Sequence, residues 1–199
     1  MREVLTAAKE EGFLTGQRLD HGRVENLDLT ELTFQKSTFC KCVFTGCNFC
    51  AAAFYDCVFT GCAFQDCRFQ GSFWKKSELT GSKGDGGDFR RSRFKDCAIR
   101  DTRLRYINFT NSVWERDEIE ETDFTESAFQ ESRFAKMQLK KVDFIGVDFF
   151  KAELKGVDLS GCILDKIILS ETCRELRGAK IHSSQAAVVA AILGIEVLA

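Results

Sequence analysis

The sequence predicts an all-β solenoid, a chain wound into a four-sided coil of parallel strands with a short helix at each end. Three observations carry that prediction. From Leu14 to Leu169 every fifth residue is large and apolar, with Gly84 the one exception among 32 positions. Sixteen of the 19 Phe fall on this register, Phe13, Phe73 and Phe150 being the others. The residue two before each register position is mostly small, as at Ser37, Cys42, Cys47, Ala52, Cys57 and Ser72. A period of five matches neither an α-helix nor an ordinary strand, so the building block is a five-residue unit. Each unit places one large and one small residue inward, which fills a narrow interior at native density.

Closure after four units makes a 20-residue square coil, and 32 units make eight coils. Stacked as parallel bridges, they form a rod ~38 Å long. Each coil buries the apolar face that its neighbour leaves open. At a 20-residue offset Leu14, Phe34, Phe54, Trp74, Phe94 and Trp114 share one column, so both Trp lie in it.

Three segments follow in order. Residues 1–13 form an N-terminal helical cap, with Val4, Leu5, Ala7 and Ala8 as its apolar side over residues 2–11. Residues 14–173 form the coil. Residues 174–199 form a C-terminal helix module, in which Ser183 or Ser184 N-caps the run Gln185–Leu193 and Gly194 stops it. That helix is apolar around most of its circumference, and a cap needs only one apolar stripe. A homodimer through Val188, Val189, Ile192, Leu193 and Ile195 is expected; the alternative is a cap covered by its own tail, Ile195–Leu198. Gly81, Gly84, Gly86 and Gly87 mark either a loop leaving the wall or a dent in it. The dent is favoured, because the count across the break stays a multiple of five.

Composition bounds function. A net charge of −2 favours neither direct nucleic-acid binding nor a membrane surface. No apolar run is long enough to span a bilayer, and the charged N-terminus lacks a signal-peptide core, so a cytoplasmic protein is expected. Seven of the ten Cys (Cys42, Cys47, Cys57, Cys62, Cys67, Cys97 and Cys162) fall in the small inward slot, where they pack rather than ligate. Neither a metal nor another cofactor is expected. His21 and His182 lie near opposite ends, so no Ser/His/Asp or Cys/His constellation forms, and an enzyme is not expected.

The unit resembles that of the pentapeptide-repeat family, whose consensus is A(D/N)LXX with Phe often replacing Leu. Cys42-Val43-Phe44-Thr45-Gly46-Cys47-Asn48-Phe49 and Val157-Asp158-Leu159-Ser160-Gly161 carry it. The resemblance implies that family's right-handed quadrilateral β-helix. Leu176–Ile181, Gln185-Ala186 and Ile192–Val197 are similar to the C-terminal module of Qnr- and MfpA-type members. That likeness implies rods joined end to end that bind DNA gyrase or topoisomerase IV by imitating a DNA duplex, protecting against quinolones or toxins.

A duplex mimic needs continuous negative charge. Residues 115–131 hold eight carboxylates against Arg116 alone, whereas residues 75–105 hold ten basic residues against five acidic ones. Candidate partner-facing residues in the acidic band are Glu115, Glu118, Glu120, Glu121, Asp123 and Glu126. Lys83, Asp85 and Asp88 join them from the glycine break. Stacking places Arg100, Glu120 and Lys140 in one column and Asp101, Glu121 and Lys141 in another, so much of the band is explained by cross-strand pairing. The alternative function is a structural or scaffolding repeat protein that binds another protein through its wall.

Overall fold

A computed structural model describes residues 1–198. The chain winds as a parallel β-solenoid, each side of the coil contributing one three-residue strand or a single bridge. The central residue of each strand points inward and its neighbours point out, because successive Cβ atoms alternate across a strand. Every pairing is parallel, with a 20-residue offset except at the last, Asp158 with Lys180, where it is 22.

Four faces result. The first is a seven-stranded sheet running from Phe13–Thr15 to Arg133–Ala135, and the second a seven-stranded sheet from Arg18–Asp20 to Gln138–Lys140. The third begins with Arg23–Glu25, Val43–Thr45 and Ala63–Gln65, continues as bridges through Lys83, Arg103 and Asp123, and ends with Asp143–Ile145 and Ile163–Asp165. Bridges alone hold the fourth, from Asp28 through Asp88 to Ile168.

The interior is built from aromatic columns. Phe34 stacks on Phe54 at 4.8 Å, Phe39 on Phe59 at 4.7 Å and Phe49 on Phe69 at 4.7 Å between ring centroids. Those separations match the spacing of neighbouring strands, so ring stacking and backbone pairing share one period. Around the coil the rings meet edge to face, as in Phe44 with Phe49 at 5.5 Å and 73°. Each such contact contributes about 0.5–1.5 kcal/mol beyond burial.

The small slot has its own chemistry. Trp74 Nε1 donates to Ser72 Oγ at 2.9 Å and Trp114 Nε1 to Ser112 Oγ at 2.8 Å, which satisfies both buried indoles. The seven slot cysteines are buried, and all ten are free thiols. Burial pushes the Cys57 thiol up to about 11 and Cys97 up to about 12, so both stay neutral packing groups.

At every corner from residue 16 to residue 166 except Gly161, the residue two past the register position adopts a left-handed conformation, whether it is Lys36 (φ 48), Lys41 (φ 51) or Gly46 (φ 60). Its N–H then donates to the next coil, as Lys36 does to Tyr55 at 2.9 Å. Left-handed backbone costs a non-glycine residue roughly 1–2 kcal/mol. The inter-coil ladder and the packed core offset that cost.

At the glycine break the wall does not open into a loop. Lys83 bridges both Ala63 and Arg103, and Gly84 N–H donates to Arg103 O at 3.0 Å. Gly84 is buried and leaves an apolar cavity of about 30 Å³ beside Phe64, Trp74, Leu79 and Leu104. The wall is interrupted elsewhere. On the second face no bridge joins Gln138–Lys140 to Asp158–Ser160 among the described residues. A cleft of about 460 Å³ opens there beside Met137, Leu139 and Lys140. Met137 occupies the small slot above Cys97 and Asp117, and it stays half-exposed rather than fitting inside.

Both ends carry helices. α1 (Arg2–Glu11) buries Leu5 and Ala8, and Gly12 ends it in a left-handed turn at φ 83. α2 (Ala186–Ile192) follows a single 3-10 turn over Ser183–Gln185. The cap differs from expectation: His182, not Ser183 or Ser184, N-caps the 3-10 turn that leads in, and Gln185 is the N-cap of α2. The His182 side chain accepts from Ser184 N–H while Gln185 Oε1 accepts from His182 N–H at 2.6 Å. Gln185 also reaches into the rod, donating to Leu159 O and Cys162 O at 3.0 and 2.7 Å. Gly194 takes the left-handed stop at φ 75.

Candidate functional site

The polar side chains of this protein lie on the four walls, so its candidate sites are surfaces. The acidic band of residues 115–131 does not form one surface. Glu115 lies on the first face, Glu118 and Glu120 on the second, and Glu121 on the corner after it. Asp123 lies on the third face and Glu126 on the corner after that. Asp117 leaves the surface altogether. It fills the small slot with no exposure, accepting from Cys97 N–H at 2.8 Å and Glu115 N–H at 2.9 Å. Burial pushes its carboxyl up to about 7, the two backbone bonds opposing that rise only in part.

Most remaining carboxylates of the band have cationic partners. Glu115 pairs with Lys95 at 3.1 Å and with Arg116, Glu118 with Arg100 at 2.8 Å, Glu121 with Lys141 at 2.7 Å and Asp123 with Arg105 at 2.5 Å. Glu120 pairs with Lys140, and Glu131 lies 4.0 Å from Lys151. Arg100 thus reaches diagonally to Glu118 rather than to Glu120 directly across from it. Only Glu126 of the proposed band residues has no ion pair among the described residues. The Asp123–Asp143 stack is relieved by Arg105, while burial and then Asp123 raise the Asp143 carboxyl above its ordinary range.

The glycine-break residues divide similarly. Asp85 pairs with Arg103 at 2.8 Å and Asp88 with Arg90 at 2.7 Å; the Arg90 contact holds the Asp88 carboxyl below its ordinary range. Lys83 is exposed and carries no ion pair among the described residues. Lys83, Asp85 and Asp123 therefore share the third face, tied together through Arg103 and Arg105, while Asp88 lies on the fourth.

Summing by face, over strand and corner positions, exposes an imbalance that the linear sequence hides. The first face holds nine basic and four acidic residues, a balance of +5. The second and third hold five basic and seven acidic residues each, and the fourth four and six, a balance of −2 on each.

At the C-terminus Val188, Val189 and Ile192 pack on the rod, half-buried. Leu193 and Ile195 are 48% and 54% exposed, and Val197 and Leu198 are exposed with them, so the tail does not cover the helix. The proposed dimer residues thus split into three that hold the helix down and two that face away.

The fold and its display of side chains define a β-solenoid whose usable surface is its walls. The family model described as pentapeptide repeats (8 copies) matches residues 28–65 and again 127–165, and the same register fills the interval between them and extends beyond both. Over those two segments the chain is similar to pentapeptide-repeat proteins. Solved structures similar to it include trypsin-treated QnrB1, a plasmid-mediated fluoroquinolone resistance protein, at 21% identity and a TM-score of 0.49 over 94% of this chain and 99% of that one. HetL from Nostoc sp. strain PCC 7120, involved in heterocyst differentiation regulation, is similar at 12% identity and a TM-score of 0.31, over 90% and 96% of the two chains. No curated protein sequence matches the chain. No helix among the described residues is long and apolar enough to cross a membrane.

Proposed function

We propose that this protein is a non-enzymatic binding protein that engages a protein partner through the walls of its rod, and that the partner to test first is a bacterial type II topoisomerase such as DNA gyrase. The observation that carries the binding reading is the display itself: ion-paired side chains at fixed spacing on flat faces around an aromatic-filled interior. The topoisomerase assignment rests on the likeness of residues 176–197 to the ends of Qnr-type proteins. Two copies joined through Leu193 and Ile195 would place two rods end to end.

The ion pairing modifies how such a protein would engage its partner. Duplex mimicry needs continuous unpaired negative charge, and here most band carboxylates are neutralised by neighbours. Contact through the third face, with Lys83, Asp85, Asp123 and Glu126, fits the geometry better than imitation of a phosphate backbone. The same patchwork favours the second reading, a scaffold for another protein partner.

Gyrase supercoiling, measured with purified protein in the presence and absence of a quinolone, tests the assignment. A change in supercoiling or in drug inhibition is expected. If neither changes across a large molar excess, the topoisomerase reading fails and the scaffold reading remains.

A further inference from the structure

The +5 balance of the first face is concentrated around an aromatic pair. Tyr55 and Phe73 lie on the outer side of this sheet with ring centroids 5.6 Å apart, half-buried. Register places Lys75 beside Tyr55 and Lys95 beside Lys75, while Arg93 stands beside Phe73. Lys36 and Lys76 occupy the adjoining corner, one coil on either side of Asp56. Farther along, Lys136 and Lys155 continue the strip.

The carboxylates of this face are largely spent on other cations. Glu115 takes Lys95, Asp96 takes Arg116 at 2.6 Å, and Glu153 takes Arg133 at 3.2 Å. Lys36, Lys75, Lys76, Arg93, Lys136 and Lys155 are left with no ion pair among the described residues. Like charges directly opposite in a sheet, as at Lys75 and Lys95, are destabilising, and here only Lys95 has a carboxylate partner.

We propose that the first face binds single-stranded nucleic acid, the cations contacting phosphates and Tyr55 and Phe73 stacking on bases. Three features select this partner. The strip from Lys36 to Lys155 spans six strand intervals, ~29 Å at the spacing of a sheet, which suits a short run of nucleotides. Cations tracking a backbone beside aromatic platforms are the combination by which single strands are held without sequence preference. Each strand of this sheet turns two residues outward and the corner adds a third, a width that one extended nucleic-acid strand covers. An acidic peptide would satisfy the cations but leave the aromatic pair unused. The overall charge of −2 conceals the site because the other faces cancel it.

Fluorescence anisotropy of a labelled 12-residue oligothymidylate with the full-length protein at low salt tests this. Saturable binding is expected, with log K falling as salt rises, by about 0.7 per phosphate contacted. Lys75→Glu with Lys76→Glu should weaken it more than tenfold, and Phe73→Leu about tenfold. Arg23→Glu with Lys166→Glu, an equal charge change on the third face, should leave it within twofold. Circular dichroism of each variant checks the fold, and the lysine pair, being on the surface, keeps the test valid if Phe73→Leu unfolds. Equal losses from both charge reversals would overturn the proposal, since binding would then follow overall charge. Tighter binding of the matching duplex, or displacement of the oligonucleotide by polyglutamate at equal charge concentration, would overturn it in favour of another anion. None of these readouts depends on gyrase.

Discussion

Asp117 is the one carboxyl in the small inward slot of the coil. Its slot is filled by Ser37, Cys57, Ser77 and Cys97 in the preceding coils, groups that are neutral when buried. A carboxylate there must lose its hydration, and two backbone N–H donors return only part of it. The folded protein therefore holds the proton up to about pH 7, against an ordinary value near 4. A carboxyl raised on folding contributes fully below its unfolded value, and its contribution is lost as pH climbs through the folded value. Stability should thus fall between pH 4 and pH 8, by roughly 2–4 kcal/mol from this residue. Asp117→Ser copies Ser77, whose Oγ accepts Cys57 N–H at 3.1 Å, and should flatten that decline. Urea denaturation at pH 5 and pH 8 measures it; an unchanged difference between the two pH values in the variant would refute the assignment. Gly84 makes a second case. Its φ lies outside the left-handed region, and a Cβ would meet Leu104 Cδ2 at 3.5 Å and Phe64 Cβ at 3.6 Å, ordinary contacts beside a void. Gly84→Ala should stabilise by about 0.5–1 kcal/mol, through a less flexible unfolded chain and a smaller cavity. A lowered melting temperature would contradict this.

The helical ends show how one element divides between two tasks. α2 is short, and isolated helices of that length do not persist in water, so it exists because Gln185, Val188, Val189 and Ile192 tie it to the last coil. Val188→Ala with Ile192→Ala should cost about 1–2 kcal/mol, measured as earlier thermal loss at that end. Leu193 and Ile195 make no such contribution, and their exposure is what a second copy would cover. Light scattering should give a dimer mass for the wild type at micromolar concentration and a monomer for Leu193→Glu with Ile195→Glu, with melting temperature unchanged. A monomeric wild type would remove the end-to-end dimer. The sequence marks this helix as apolar around most of its circumference, but it could not divide the positions, because which stripe meets the rod depends on how the chain turns back to seat Gln185 against Leu159 and Cys162. The same limit hid His182 as the cap: an imidazole is not the usual residue there, and its role follows from where Ser184 N–H points.

At the scale of the whole rod, legibility followed distance along the chain. The five-residue register made the core columns, the buried cysteines and the dent at Gly84 readable, because each depends on spacing alone. Charge was harder. Residues 115–131 look like an acidic surface in linear order, yet the coil distributes them over all four faces and buries Asp117. The basic first face is invisible until residues 20 apart are summed together. Stability follows the same long-range logic, since each coil is held chiefly by its neighbours and the rod is no more secure than its weakest junction. That junction lies between the seventh and eighth coils on the second face, where Met137 stands in a slot built for Ser or Cys and the ladder from Gln138–Lys140 to Asp158–Ser160 is missing. Hydrogen exchange should show amides of residues 136–140 opening before those of 112–116, which donate to and accept from both neighbouring coils. Met137→Ser removes the obstruction, lets the two coils approach, and should slow exchange at 136–140 several-fold while 112–116 stays unchanged. If the serine variant exchanges as fast as the wild type, the left-handed turn missing at Gly161, the one corner between residues 16 and 166 without it, is what holds the coils apart.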